Sequence, residues 1–269
     1  MKLSNKVTKT GLLVAAIAFS LSVLAMGSAA AQSASDTTTT PSTSTAASGT
    51  GGSGGSTARQ QTELSNIINK GNEEIARRLT SLNALDSKIT ATKNLSNTDL
   101  TFLENEVTAE ISGLASLKTA LDNCATVTPV SSAVQCAVIN ARDIIGDYRV
   151  YALILPKVQL VKMADDQMAI EINLTTLGQK IQNRITNDLA AGKNVSSLQT
   201  ELNTMIADIN AAQALSTGVE QAVLPLLPSD YNTNRSVLSG YATKLQTAKV
   251  DLQSAAALAK TIISTLKTI

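Results

Sequence analysis

Cys124 and Cys136 are the only thiols in the chain, with 11 residues between them. Two thiols can serve as a redox couple, as part of a metal site or as a structural disulfide. A redox couple is normally C-x-x-C. A zinc site needs more ligands than two thiolates, and this chain has no histidine to add. The pair flanks the stretch Ala125-Thr-Val-Thr-Pro-Val-Ser-Ser132. In an exported chain an even count favours pairing, so a disulfide is expected. Closing that loop would stabilise the fold by about 3 kcal/mol in the chain-entropy model.

The absence of histidine removes the commonest general base, the commonest metal ligand and the Ser-His and Cys-His nucleophile pairs together. Carboxylates remain, notably Asp165, Asp166 and Glu171. Two carboxylates can hydrolyse a glycosidic bond, but adjacent helical residues point about 100° apart, and a sugar cleft without tryptophan would be unusual. Solvated helix surface is the expected role. The glycines at 51–55 precede no Gly-Lys-Ser/Thr, and Gly192-Lys193 lacks the upstream glycine of a phosphate loop. No catalytic, cofactor-binding or metal-ligating residue is therefore expected, and no cofactor. Asn94, Asn173 and Asn194 head Asn-x-Ser/Thr triplets, which are acceptors only in a eukaryotic secretory route.

One segment gathers aromatic, cationic and proline residues: Tyr148-Arg-Val-Tyr-Ala-Leu-Ile-Leu-Pro-Lys157. Its plain reading is packing, with the tyrosines filling space where two bundles meet. Its sharper reading is a partner surface formed by Tyr148, Arg149, Tyr151 and Lys157, because Tyr and Arg favour interface hot spots.

The elements that position these residues are helices. Leu64, Ile68, Ile75, Leu79, Leu82 and Ile89 recur at threes and fours and predict a helix of about 30 residues from Ala58. Glu73–Arg77 and Glu74–Arg78 at i,i+4 read as its solvated surface. A second stripe runs from Leu100 through Leu103, Val107, Leu114, Leu117 and Leu121, after the start signal Asn97-Thr98-Asp99. A third helix is expected from Ser131 or Ser132 to Ala191, kinked or broken at Pro156 and capped by Gly192. A fourth begins at Asn194-Val-Ser-Ser197 and ends at Pro225 and Pro228; a fifth runs from about Tyr231 to Lys267. No alternating strand pattern is present. The expected fold is all-α: an elongated antiparallel bundle of five long helices, as two three-helix bundles sharing the third, over residues 58–155 and 156–269. Small stripe residues such as Ala255 and Ala259 allow close helix approach and leave little room for a large ligand pocket.

Ahead of the helices the chain has two other regions. Lys2, Lys6 and Lys9 precede the apolar run Leu12–Ala25, and Ala29-Ala30-Ala31 offers a cleavage site before Gln32, so residues 1–31 read as a signal peptide. The rival reading is an uncleaved anchor, since Gly11–Ala31 carries no charge over 21 residues. Residues 32–57 are Ser/Thr/Gly-rich and read as a flexible tether. Losing the three signal lysines leaves 19 basic and 21 acidic residues, a net charge of −2. That balance, the absence of Trp and only five aromatics after Gln32 argue against nucleic acid as a partner.

The Tyr148–Lys157 segment, Gly192-Lys-Asn-Val-Ser-Ser-Leu198 and the Pro228-Ser-Asp230 turn before an Ala-rich last helix resemble exported, coiled-coil-like helical proteins of bacteria. The resemblance spans residues 60–269 and implies a helical rod in the cell envelope or secreted; it carries over no activity and no functional residue. The expectation is thus an exported, non-enzymatic structural or interaction protein with a protein or cell-surface partner and room for self-association. Membrane contact would come only through an uncleaved signal. The alternatives are a membrane-active helical protein, from Val150–Val161 and Val223–Leu227, or a carrier of a small apolar ligand.

Overall fold

The computed structural model describes residues 53–269; the segment expected to be a signal peptide and residues 32–52 of the expected tether lie outside them. The described chain is an all-α helical bundle without strands: α1 (Ser53–Thr90), α2 (Asn97–Asn123), α3 (Val130–Gly146), α4 (Leu155–Ala190), α5 (Ser196–Ser216), α6 (Val219–Val223), α7 (Pro228–Thr233) and α8 (Ser239–Leu266). Helix α1 starts at Ser53, so the last residues assigned to the tether, 53–57, are helical.

Stripe residues occupy the interior as their spacing requires. Leu64, Ile75, Leu82 and Ile89 of α1 meet Leu103, Val107, Leu114 and Leu121 of α2 and Ala133, Ala137 and Ile144 of α3 in one core. A second core joins Leu174, Ile181 and Ile185 of α4, Leu198, Leu202, Met205 and Ile209 of α5, and Leu252, Ala255, Ala259 and Ile262 of α8. The division between them does not fall at residue 156. Val158, Val161 and Ala164 of α4, Val219 and Val223 of α6, and Leu245 of α8 belong to the first core.

Caps follow local chemistry. The Ser96 hydroxyl accepts the Asp99 backbone N–H at 3.1 Å and starts α2. After α4, Gly192 takes φ +79°, its N–H reaching Leu189 O and the Lys193 N–H reaching Asp188 O, a Schellman closure.

Three expectations need correction. The third helix is interrupted at Asp147–Arg149, upstream of Pro156, and Pro156 lies in the first turn of α4. Between them Val150–Ile154 form a π turn in which the Ile154 N–H reaches Arg149 O at 3.1 Å. The wider ladder and a fresh helix start accommodate a residue with no N–H to give. The fourth helix ends at Ser216, not at the prolines, because Gly218 adopts φ +80° and turns the chain into α6. The fifth is divided into α7 and α8 by Asn234–Leu238, where Asn234 Oδ1 accepts the Ser236 N–H at 3.1 Å.

Candidate functional site

The cysteine Sγ atoms lie 1.98 Å apart, with Cα atoms at 5.6 Å, a disulfide pair tying the end of α2 to α3. The Asn140 amide braces it, donating to Cys136 O at 2.9 Å and reaching Cys124 Sγ at 3.4 Å. Cys124 is fully buried.

The break before the π turn distributes the Tyr148–Lys157 side chains among different neighbours. Tyr151 lies beneath Arg77, whose Cζ is 4.3 Å from the ring centroid, and Arg78 at 5.4 Å. Its hydroxyl donates to Arg77 O at 3.1 Å and meets Ser81 Oγ at 3.0 Å. Glu74 pairs with both arginines, and Arg78 is only 6% exposed. The expected solvated pairs on this face are thus partly a buried clasp. Arg149 donates to Asn232 Oδ1 at 2.7 Å and stands 5.7 Å from the Tyr231 ring, joining the π turn to α7. Tyr148 packs on the bare face of α2 at Gly113. Tyr148, Arg149 and Tyr151 are half-buried.

Lys157 departs from the expectation entirely. It is 0% exposed and cannot belong to a partner surface. Its ammonium donates to Glu106 Oε1 at 2.5 Å, Leu226 O at 2.6 Å and Leu224 O at 3.1 Å. Three donors meet three acceptors, which is how a buried cation is tolerated. One turn along α2 stands Glu110, pushed up to about 7 by burial and by the Glu106 charge, with Lys157 opposing.

The sequence-flagged carboxylates separate. Asp166 accepts from Lys162 at 2.5 Å and from the Asn94 amide at 2.7 Å. Glu171 accepts the Ser216 hydroxyl at 2.8 Å, and burial raises its pKa. Asp165 instead meets two acids that periodicity did not single out. Carboxylate oxygens of Asp99, Asp165 and Glu220 all lie within 4.8 Å of one another, and all three residues are buried. Ser96 donates its hydroxyl to Asp99 at 2.6 Å and its N–H to Asp165 at 3.4 Å. Burial and the Asp165 charge push Glu220 up to about 7. Burial likewise raises Asp165, against hydrogen bonds from Glu220 and the Ser96 backbone. Asp165 and Glu220, both raised by burial, are joined by a side-chain hydrogen bond, which a pair of carboxyls makes when one of them keeps its proton.

A groove between α4 and α5, lined by Met168, Ile172, Thr175, Ile206, Asn210 and Gln213, opens to the surface, with Ile172 62% exposed. None of the described helices is long and apolar enough to cross a membrane. No family model, curated protein or solved structure matches the chain.

Proposed function

We propose that the chain is an exported, non-enzymatic structural or interaction protein whose helical body is presented in or beyond the cell envelope to a protein or surface partner. The observation that carries this reading is the engagement of its reactive-looking groups with one another. Lys157, Glu106, Asp99, Asp165 and Glu220, buried or partly buried, tie α2, α4 and α6 together. Acid–base catalysis needs such groups within reach of a bound substrate. The disulfide pair and the signal-like first 31 residues support an oxidising, extracytoplasmic setting. Tyr148, Arg149 and Tyr151 remain the favoured contact residues, through their exposed edges.

The test is binding of the purified chain to isolated envelopes and to intact cells, with Arg149→Ala and Tyr151→Ala variants alongside. The reading predicts saturable binding that the variants weaken. Binding no greater than to an unrelated helical bundle would remove it. Dye release from liposomes, or lipid extracted with the pure protein, would favour the membrane-active or carrier alternative.

A further inference from the structure

We propose that Lys157, Glu106 and Glu110 form a pH-operated latch, which holds the Leu224–Pro228 turn against α2 and α4 while Glu110 is neutral and loosens that turn when Glu110 ionises.

The geometry rests on counting protons. An ammonium has three N–H bonds to give, and those of Lys157 go to Glu106 Oε1, Leu224 O and Leu226 O. Two of the three therefore hold carbonyls of a turn in which Pro225 and Pro228 have no N–H to give and the Leu224, Leu226 and Leu227 N–H groups bond within the turn or to its flanks. Glu110 follows Glu106 by one turn of the same helix and feels the Lys157 charge. Its Oε2 is buried and has no hydrogen-bond partner, and the same is true of Glu106 Oε2. A neutral carboxyl tolerates that position; an ionised one requires a donor. The donors within electrostatic reach are Lys157, whose protons are all engaged, and the Tyr148 phenol. Lys157 can serve Glu110 only by withdrawing a proton from a turn carbonyl or from Glu106.

The groups that face Glu110 are few. Glu106 on α2 repels its charge and Lys157 on α4 attracts it. The Tyr148 phenol, ahead of the π turn, feels Glu110 together with Asp147 and with Asp143 of α3. Burial is the largest influence on Glu110 and places its titration at about 7. Charging thus falls in the neutral range, where a modest change of environment would operate the latch. The acids at Asp99, Asp165 and Glu220 form a separate cluster and supply the control.

The experiment is amide hydrogen exchange on the full-length protein between about pH 5.5 and 8.5, a range that brackets the Glu110 titration, with rates divided by the intrinsic rate at each pH. The Leu224 and Leu226 amides, bonded to Glu220 O and Val223 O, report the turn. Their protection should fall about tenfold across the range, and by more than that of Leu252 in α8, which follows the stability of the whole fold. Glu110→Gln, a neutral and nearly isosteric variant that can fold at every pH, should keep the turn protected throughout, and Glu220→Gln should leave the fall in place. PH-independent protection in the wild type, an unchanged fall in Glu110→Gln, or a fall abolished by Glu220→Gln would each overturn the latch.

Discussion

Gly71 of α1 and Leu121 of α2 meet so closely that a Cβ on Gly71 would lie 2.5 Å from Leu121 Cδ2, with Ile144 Cδ1 of α3 at 3.5 Å. Leu121 is fully buried, so its Cδ2 would have to shift inside the core. In an isolated helix Gly→Ala gains about 1 kcal/mol, but overpacking a filled core costs about 1–3 kcal/mol. The second effect wins here. Gly71→Ala should lower stability in urea unfolding, and its cost should shrink in a Leu121→Ala background. Additive effects of the two changes would show that the helices do not meet at this point.

Opening the Cys124–Cys136 bond should cost about 3 kcal/mol, because the turn it closes regains its freedom in the unfolded chain. Comparing urea midpoints with and without reductant gives the value. Thiol counting on the non-reduced protein should find neither cysteine free.

Lys157 is tied to α2 and to the turn after α6, so Lys157→Met should strand the Glu106 carboxylate and two carbonyls in the interior. Breaking a buried pair in this way costs about 3–5 kcal/mol. Adding Glu106→Gln should recover part of that loss. A Lys157→Met protein as stable as the parent would show that the cation is solvated.

Asp165 and Glu220 both hold their protons more tightly folded than unfolded, Glu220 up to about 7. The folded state therefore binds more protons above the ordinary carboxylate range. The stabilisation is fully present in mild acid and is lost as pH rises through about 7. The melting temperature should fall between those limits, and Glu220→Gln should flatten the decline. A melting temperature that rises over the same interval would reverse the sign and exclude proton sharing among these acids.

Much of this fold was legible because burial on a helix repeats every three to four residues. Leu64, Ile75, Leu82 and Ile89 announce one face of α1, and Cys124 and Cys136 announce their pairing by number and spacing. What was hidden depends on residues far apart in the chain. Asp99, Asp165 and Glu220 come from three different helices, and no local pattern couples them. One signal was available. Lys157 and Asp165 fall beside Val158, Val161 and Ala164 on a buried face of α4, and polar residues at stripe positions call for internal partners. The break at Asp147–Arg149 was obscured by Pro156, the stronger local breaker, whose preferred place is in fact a helix's first turn.

Pro156→Ala consequently should not fuse α3 and α4 into one helix. Circular dichroism should register little change in helix content, since the interruption lies upstream of the proline. A clear rise in helicity would return the cause of the break to Pro156.

The central functional claim is that this body acts outside the cytoplasm through its surface. Fractionation of expressing cells, combined with N-terminal sequencing of the recovered protein, tests it most directly. The account predicts protein in the envelope or medium with Gln32 as its first residue. Recovery in the cytoplasm with Met1 through Ala31 still attached would contradict it.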